Sequence, residues 1–483
     1  MTGGSEESLV CKFLTVEWIG EINPKSAGER PALQKYNILK VKMPDLRKHA
    51  NEIFKHVLST LCPEQLVKKK VSIRDSTLIV ENREYNLNNY ENIYVVGGGK
   101  ACAPMAKAME ELLGDKIDNG IIVVKYNHDL PLNRIETVEA SHPIPDKNGV
   151  RGTSNILRLL SKAGEKDLII CLISGGGSAL LVQPHKEITL PDIQNTSTKL
   201  LACGARIDEI NTVRKHLSSI KGGQLAKAAY PSTLITLILS DVVGDPMDII
   251  ASGPTVPDES TFEDAYKIIQ KYSLEEKIPN SVCGFLRSGK MGEIEETPEN
   301  GNEIFDNTQN VIVGSNRIAL EAAEKRAREM GYNTIILSSL VEGESREAAK
   351  FFAAIAREVS HTETPVPKPA CIIAGGETTV TIKGKGKGGR NQEFALSAAM
   401  EIEGCEGVVI LSAGTDGTDG PTDATGAIVD FNTCKDAREK FHLRPEEFLS
   451  RNDSYNFFKN TGEHIITGPT MTNVMDIMIS LID

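Results

Sequence analysis

The feature that most constrains this chain is a recurring unit: a short apolar run of strand length, then a glycine-rich loop, then a helical pattern. It occurs in both halves of the sequence, in the segments NIYVVGGGKA (92–101), DLIICLISGGGSALL (167–181), PACIIAGGETT (369–379) and GVVILSAGTDG (407–417). Such units are typical of parallel sheets covered by helices on both faces. The loops that follow the strands then lie at the carboxyl edge of a sheet, where open α/β sheets bind ligands.

The length of the chain predicts more than one domain, because 483 residues are too many for one hydrophobic core. Between about residues 277 and 306 the apolar periodicity gives way to polar, acidic sequence with glycine and proline. We therefore predict an irregular leader over 1–43, a first α/β domain over 44–295 and a second over 296–483. The predicted fold class is α/β, with two Rossmann-like three-layer domains, parallel or mixed sheets, and a cleft between the domains.

Charge and cysteine content exclude several classes of protein. With 54 basic and 66 acidic residues the formal net charge is −12, which argues against a nucleic-acid partner and against an anionic membrane surface. No apolar window approaches the ~18 residues of a membrane span. The acidic N-terminus, with Glu6 and Glu7, speaks against a signal peptide, so we expect a cytoplasmic protein and leave a mitochondrial form open. Nine cysteines without a CxxC pair indicate a reducing compartment and no zinc site.

Carboxylates follow two of the predicted strands. Asp416, Asp419 and Asp423 lie in the loop TDGTDGPTDA after the run 408–411, and Asp241 and Asp245 follow the run LITLILS. Carboxylates at the edge of a sheet could hold Mg²⁺ or accept a proton from a substrate hydroxyl. The alternative is a solvated turn, which is the common role of an Asp-Gly loop. The density of Gly, Asp and Thr after residue 411 favours the functional interpretation.

The first glycine loop, Gly97 to Lys100, predicts a phosphate cradle in which loop amides face an anion and the lysine adds charge. It is not a Walker A loop, because Tyr94 stands where that pattern has glycine and Ala101 where it has Ser or Thr. A dinucleotide fingerprint fits only in part, since Cys102 replaces its third glycine. The alternative is a tight turn from strand to helix with an exposed lysine.

The second glycine loop runs from Ser174 to Ser178. It is no nucleophile elbow, because Ser178 is followed by Ala179 and Leu180 and the G-x-S-x-G pattern is absent. A backbone nest for phosphate or carboxylate is the better interpretation. The residues of the two loops predicted to bind ATP or phosphate are Gly97, Gly98, Gly99, Ser174, Gly175, Gly176, Gly177 and Ser178.

Two basic segments could add to such a site. NTVRKHLSSIKGG places Arg214, Lys215 and Lys221 on one helical segment, although a basic helix face is most often simply solvated. GKGKGGRNQE (384–393) combines glycines with basic residues. We expect this loop to fold over a polyanion, with Gly389 near phosphate and Arg390 giving bidentate contact; a flexible basic linker is the alternative.

Two isolated residues complete the candidates. His142, in SHPIPD, is either a ligand to substrate or a turn residue ahead of two prolines, and we favour a ligand. Glu377, in GGETT, could contact nucleotide or metal.

Together these motifs resemble those of a known family. VVGGGKA, SGGGSALL, NTVRKHLS, LSDVVGDP, GGETTVTIKGKGKGGRNQE, AGTDGTDGPTDA and TGPT are similar to motifs of the class II glycerate kinases, whose C-terminal part is called the MOFRL domain. The resemblance runs from about Pro44 to the C-terminus, about nine-tenths of the chain. So many motifs in one order make a chance match improbable.

The resemblance implies transfer of the γ-phosphate of ATP to the 2-hydroxyl of D-glycerate, with Mg²⁺, in a cleft between two α/β domains. The family's important lysine and arginine fall on Lys100 and Arg390. Asp241 or Asp416 would orient the hydroxyl or hold Mg²⁺, with Asp419 as a further metal ligand. The remaining implied contacts are phosphate binding by Lys221 and Gly389 and substrate binding by Arg214, Lys215 and Asn473. The implied partners are small molecules, and the chain would be a monomer or homodimer.

The chain departs from the family in its last motif. The family usually has TGPTGTNVND, whereas this chain has Met471 in place of the second glycine and Met475 in place of an asparagine. A methionine at a position that needs positive φ would strain the loop or narrow the pocket. Two other functions remain open: an NAD(P)H-dependent hydroxypyruvate reductase, and a catalytically inactive nucleotide-binding protein.

Overall fold

The strands form three sheets in the computed structural model, which describes residues 45–483; the predicted leader 1–43 lies outside the described residues. A small antiparallel sheet consists of β1 (Val71–Arg74), β2 (Thr77–Val80) and β3 (Arg83–Asn86). The first large sheet contains β4 (Asn92–Gly98), β5 (Asn119–Lys125), β6 (Ile135–Ala140), β7 (Asp167–Ile173), β8 (Thr233–Leu239) and β9 (Thr308–Gly314). The second contains β10 (Asn333–Val341), β11 (Ala370–Gly376), β12 (Val408–Gly414), β13 (Gly426–Asp430), β14 (His464–Ile465) and β15 (Asp476–Ile482).

The helices lie between and beside these strands. Those of the first half are α1 (Leu46–Thr60), α2 (Pro63–Lys70), α3 (Cys102–Leu113), α4 (Lys147–Leu160), α5 (Gly177–Leu180), α6 (Leu190–Ala202), α7 (Ile207–His216), α8 (Gln224–Ala229), α9 (Phe262–Lys271) and α10 (Asn280–Lys290). Those of the second half are α11 (Asn316–Glu329), α12 (Ser345–Thr362), α13 (Arg390–Glu401), α14 (Thr433–Phe441), α15 (Pro445–Ser450) and α16 (Ser454–Thr461).

The first large sheet is wholly parallel, in the order β6-β5-β4-β7-β8-β9. The order reverses between β4 and β7, so the loops that follow these two strands flank the switch point at which doubly wound sheets bind ligands. Both predicted glycine loops follow these strands, at 97–100 and 174–178.

Helices cover both faces of this sheet, which explains why its strands are continuously apolar. All seven residues of β7 are buried. Its Leu168, Ile170 and Leu172 join the hydrophobic cluster that includes α3, whereas Ile169 and Cys171 join the cluster that includes α4 and α8. The predicted three-layer arrangement is therefore present in this half.

The second large sheet is mixed, in the order β10-β11-β15-β12-β13-β14. β15 runs antiparallel between β11 and β12, and its first residue, Asp476, pairs with Gly376 at the end of β11 and with Gly414 at the end of β12. The last strand of the chain thus brings a carboxylate to the edge where the other two strands end. Helices α1 and α11 cover one face of this sheet, and α12 and α13 cover the other.

The predicted boundary between residues 295 and 296 does not coincide with the division between the sheets. β9, at 308–314, pairs with β8 as the last strand of the first sheet. In the other direction, α1 packs on α11, β12 and β15 of the second sheet although it precedes the whole first sheet in sequence. The polar segment after 277 is a connection within the first half, because one more strand is needed to complete its sheet.

Two sequence expectations concern membranes and cysteines. None of the helices within residues 45–483 combines the length and apolar character needed to cross a membrane. Cys171 and Cys371 are fully buried in the sheets, as predicted, and each described cysteine is unpaired.

Arg47 fastens α1 to the second sheet, so its loss should destabilise the fold. Its guanidinium lies 2.5 Å from a carboxylate oxygen of Asp430 and 2.5 Å from one of Glu463, and it donates to the carbonyl of Ile428 at 3.0 Å. Arg47→Met would leave both half-buried carboxylates without their cation. We expect the free energy of unfolding to fall by about 1–3 kcal/mol.

Urea denaturation followed by circular dichroism would measure the change. Lys48→Met is the matched control, because Lys48 is the exposed neighbour on the same helix. Equal midpoints for the Arg47 and Lys48 variants would contradict this role.

Candidate active site

The two glycine loops of the first sheet pack closely against each other. A Cβ on Gly97 would lie 2.0 Å from the carbonyl oxygen of Leu172, and a Cβ on Gly99 would lie 2.1 Å from Ser174 Oγ. Both glycines have φ of 153°, a conformation that side chains rarely adopt. The loops therefore need glycine because the neighbouring strands β4 and β7 approach this closely.

Hydrogen bonds join the same two loops. The backbone N–H of Lys100 donates to the carbonyl of Gly175 at 2.9 Å, and the N–H of Ala101 donates to Ser174 Oγ at 3.0 Å. Two other predicted phosphate ligands are packing glycines: Gly98 lies against Leu181, and Gly177 lies against Ala251.

Three candidate site residues, Asp241, His142 and Lys100, converge on the second loop. The Cβ position of Gly175 lies 2.1 Å from Asp241 Oδ2, and that of Gly176 lies 3.0 Å from the ring of His142 and 3.2 Å from Lys100 Cε. Burial raises the pKa of Asp241, although Lys100 lowers it. Burial and the Lys100 charge lower the pKa of His142 to about 4, so its ring is neutral at pH 7. Within residues 45–483, no carboxylate lies within 4.0 Å of the Lys100 ammonium.

Two cavities adjoin this loop. The cleft cavity, about 190 Å³, is lined by Lys100 and Gly175 from the first half and by Asp416, Met471 and Asn473 from the second. It confirms the predicted cleft.

The inner cavity, about 240 Å³, lies within the first half. It is lined by His142, Gly176, Ser178, Arg214 and Lys221 among others.

The basic segment NTVRKHLSSIKGG divides into two parts: Arg214 and Lys221 line the inner cavity, and Lys215 forms ion pairs elsewhere. Lys221 is 4% exposed, and its ammonium donates to the carbonyls of Ser178 at 2.8 Å and Leu181 at 2.7 Å. Burial, and then the Arg214 charge, lower the pKa of Lys221 to about 7. Burial also lowers the pKa of Arg214, whose Nε lies 3.4 Å from Ser197 Oγ.

Lys215, in contrast, does not reach either cavity beside the loop. Its ammonium lies 3.2 Å from Asp258 and 3.7 Å from Asp248. The helix α7 ends at His216, so Lys221 does not share one helical segment with Lys215 and Arg214, as the sequence predicted it would. The expected contact of Lys215 with substrate does not fit this position, because the buried carboxylate of Asp258 already neutralises it.

Arg390 is held by two carboxylates of the second half. Its Nε and Nη2 donate to Asp476 at 2.5 and 3.0 Å, and its Nη1 lies 2.8 Å from Glu377 Oε1. Asp476 is fully buried, which raises its pKa, while Arg390 lowers it. Burial raises the pKa of Glu377, and the nearby carboxylates of Asp476, Asp241 and Asp416 raise it further. The Arg390 charge acts in the opposite direction.

Sequence reasoning missed Asp476 as a member of the site. Its signal was the last residue of the family motif TGPTGTNVND, an aspartate that falls on position 476 at the start of the apolar run DIMISLI. We expected the guanidinium of Arg390 to make a bidentate contact with a ligand. Its bidentate pair is instead with Asp476.

The acidic loop after β12 separates into two roles. Asp416 lines the cleft cavity, and its Oδ1 accepts from the N–H of Thr418 at 3.0 Å. Asp419, 2% exposed, caps α13 by accepting from the N–H groups of Asn391 at 3.1 Å and Gln392 at 2.9 Å. Burial raises the pKa of Asp419 to about 6, although these donors lower it.

The prediction of Asp419 as a metal ligand therefore does not fit, since each of its oxygens already accepts hydrogen bonds from α13. No group of three or more His, Cys, Asp or Glu within residues 45–483 is arranged to hold a metal ion by itself.

The glycine-rich segment before Arg390 packs on protein rather than covering a polyanion. Gly384 N donates to Asn452 Oδ1 at 3.0 Å, and Gly386 N donates to the carbonyl of Arg451 at 3.1 Å. A Cβ on Gly389 would lie 2.4 Å from Asp419 Oδ1. Gly384 and Gly386 permit close approach to the turn at 451–453, whereas Gly389 packs on Asp419. The phosphate contact predicted for Gly389 therefore does not fit its place.

The two methionines of the last motif have the backbone that the family pattern suggested. Met471 has φ of 60° and Met475 has φ of 69°. Met471 and Asn473 line the cleft cavity, and Asn473 Oδ1 accepts from the N–H of Met475 at 3.0 Å. Both methionines therefore meet the condition under which the sequence predicts strain in this loop.

At residue 471, glycine should give a more stable protein than alanine, which reverses the usual order of stability. Both Met471→Ala and Met471→Gly remove the side chain, but only glycine relieves the left-handed backbone. We expect the glycine variant to be the more stable by about 1 kcal/mol.

Thermal melts of the two variants give this comparison directly. The opposite ranking, which is the normal one inside a helix, would show that residue 471 does not hold this conformation.

Models of two families match the chain. The model described as "Domain of unknown function (DUF4147)" matches residues 49–287, and the model described as the MOFRL family matches residues 370–476. The second match begins with β11 and ends at Asp476, so it contains Glu377, Arg390 and Asp416.

Related proteins match four-fifths or more of the chain. A protein of Thermotoga maritima named D-glycerate 2-kinase is 43% identical over 90% of this chain and 98% of its own length. A protein of Agrobacterium vitis named putative hydroxypyruvate reductase is 44% identical over 80% of this chain and 86% of its own.

A solved structure has the same architecture. The crystal structure of a glycerate kinase from Thermotoga maritima superimposes with a TM-score of 0.81 at 42% identity, over 91% of this chain and 99% of that one. Motifs, sequence identity and three-dimensional structure therefore agree over about nine-tenths of the chain. The chain belongs to the class II glycerate kinase family, whose C-terminal part is the MOFRL domain.

Proposed function

We propose that this protein transfers the γ-phosphate of ATP to the 2-hydroxyl of D-glycerate, giving 2-phosphoglycerate and ADP. The observation that carries the proposal is the position of Lys100. Its ammonium has no carboxylate partner within 4.0 Å among residues 45–483, and it lines the cleft cavity opposite Asp416. The name of the Thermotoga maritima relative supports the same reaction.

Phosphoryl transfer asks a protein for position and charge more than for covalent chemistry. Lys100 supplies a cation at the switch point of the first sheet, where the two glycine loops hold its backbone. Arg390 supplies a second cation from the other half. Of its five N–H donors, three hold Asp476 and Glu377. Two donors remain for the oxygens of the transferred group.

The residues present fit a magnesium ion shared with the substrate. Mg²⁺ in such sites takes one or two carboxylates and completes its shell with water and phosphate oxygens. Asp416 lines the cleft cavity, and its Oδ2 accepts no hydrogen bond from residues 45–483, so we propose Asp416 as the ligand. The ion would neutralise charge on the phosphates.

Asp241 is the better candidate to accept the proton of the acceptor hydroxyl. Its carboxylate faces Gly175, beside Lys100, and its raised pKa makes it a stronger base than an ordinary aspartate. The sequence alone left the roles of Asp241 and Asp416 open.

The two rival functions have less support. A reductase would need a dinucleotide site, but Cys102 carries a side chain where the third glycine of the fingerprint allows close packing of helix and strand. The name of the Agrobacterium vitis relative is the observation in favour of a reductase. An inactive protein has no reason to keep Lys100 at the cleft cavity without a carboxylate partner among residues 45–483.

Lys100→Ala and Arg390→Ala should each lower glycerate-dependent ADP formation by about a hundredfold or more, because each removes a cation from the transferring group. The assay is ADP release with D-glycerate, with the product identified by ³¹P NMR. Lys107→Ala is the matched control, since Lys107 is a half-exposed lysine of the next helix and, among residues 45–483, pairs only with Glu64 at 3.5 Å.

NADH oxidation with hydroxypyruvate is measured in parallel for the same proteins. NADH consumption without ADP release would replace the kinase with the reductase. Silence of the wild type in both assays, with nucleotide still bound, would favour the inactive protein.

Substitution of the two aspartates should separate their roles. We expect Asp416→Asn to raise the Mg²⁺ concentration for half-maximal activity by about tenfold or more. Asp241→Asn should lower kcat by about a hundredfold or more while leaving that Mg²⁺ concentration nearly unchanged. Titration of Mg²⁺ at saturating ATP and D-glycerate measures both effects, and the reverse pattern would exchange the two assignments.

A further inference from the structure

The inner cavity contains two basic side chains that no carboxylate of residues 45–483 neutralises. Arg214 and Lys221 line it, and neither lies within 4.0 Å of a carboxylate among residues 45–483. Lys221 is 4% exposed and keeps one N–H donor beyond the two that hold Ser178 and Leu181. A buried cation without a partner is costly, so such a pair is expected where an anion binds.

The rest of the inner cavity carries no negative charge. Among the described residues, no Asp or Glu lines it. His142 is neutral at pH 7, and Val182 and Ile193 are apolar. A magnesium ion has no ligand of its preferred kind there, so this cavity suits an anion that comes without a metal.

The cleft cavity has the opposite character. It combines Lys100 and Lys125 with the carboxylate of Asp416. Phosphates that share a divalent cation need both a carboxylate for the ion and cations for their own oxygens. The nucleotide phosphates therefore suit the cleft cavity better than the inner one.

The two cavities meet at one peptide. Gly175 lines the cleft cavity and Gly176 lines the inner cavity. Lys100 passes this boundary, since its Cε lies 3.2 Å from the Cβ position of Gly176. A group moving from one cavity to the other would pass beside the Lys100 ammonium.

We propose that the inner cavity is the acceptor site, in which Arg214 and Lys221 bind the carboxylate of a small 2-hydroxy acid. The donor nucleotide then occupies the cleft cavity, and its terminal phosphate meets the acceptor hydroxyl at Lys100. The proposal rests on the proposed function for the identity of the acid. It moves Lys221 from the expected ATP contacts to the acid, and it makes Arg214 and Lys221 partners in one site.

Calorimetric titration tests this assignment without turnover. The ligands are D-glycerate, glycerol as its analogue without the carboxylate, and a non-hydrolysable ATP analogue with Mg²⁺. The proteins are the wild type, Arg214→Met, Arg214→Lys, Lys221→Met and the control Lys199→Met, which removes an exposed cation near the cavity.

We expect Arg214→Met and Lys221→Met to weaken D-glycerate binding by about thirtyfold or more, because the carboxylate loses its cations. Arg214→Lys should recover part of this loss. The affinity for the nucleotide analogue should change less than about threefold. The wild type should prefer D-glycerate to glycerol, and Arg214→Met should lose that preference. Lys199→Met should behave as the wild type.

Loss of nucleotide binding with D-glycerate binding intact would overturn the assignment, as would wild-type protein that fails to bind D-glycerate. If a methionine variant lowers the melting temperature and binds neither ligand, Arg214→Lys decides, because it keeps the charge. The failure of the proposed function has a different signature: D-glycerate binds in the inner cavity but no ADP forms.

Discussion

The close approach of β4 and β7 is the constraint on which the rest of the site depends. Side chains at residues 97 and 99 would overlap the neighbouring strand and Ser174, so the loops can adopt this arrangement only with glycine. The N–H of Lys100 is then bound to the carbonyl of Gly175 at 2.9 Å. A flexible lysine thus starts from a rigid backbone at the switch point of the sheet, which limits where its ammonium can lie.

The second half contributes a buried ionic network around Arg390. Asp476 is fully buried and would be costly without Arg390, and Arg390 in turn is shared with the more exposed Glu377. Because β15 runs antiparallel between β11 and β12, its first residue reaches the edge where both strands end. The strand order of the second sheet therefore determines the orientation of the guanidinium, and a hydrophobic cluster shared by both sheets keeps the two halves together.

Local signals in the sequence were enough to place the strands and the glycine loops that follow them, because each depends on residues close together in the chain. Partners far apart in sequence were not foreseen. Arg390 and Asp476 are separated by 86 positions, and the segment 384–388 packs on a turn about 65 residues later. Glycine for ligand approach and glycine for close packing look alike in a sequence, which is why Gly389 was assigned to phosphate.

The same limit explains the domain boundary and the metal ligands. A polar stretch marked the end of the first half, but one more strand had still to join its sheet, and only pairing shows this. Asp416 and Asp419 stand three residues apart in one motif, yet one faces the cleft and the other caps a helix. Their roles differ because only Asp419 lies beside the first N–H groups of α13. Met471 and Met475, by contrast, drew notice from the sequence motif alone, because positive φ is a local property.

The central claim is that the phosphoryl group passes between the two cavities beside Lys100. A crystal structure with ADP, Mg²⁺, D-glycerate and aluminium fluoride, which imitates the transferring group, tests it most directly. The account predicts the fluoride complex at the Gly175–Gly176 peptide, within hydrogen-bond distance of the Lys100 ammonium, with the acid on Arg214. A fluoride complex remote from Lys100, or both ligands in one cavity, would contradict it.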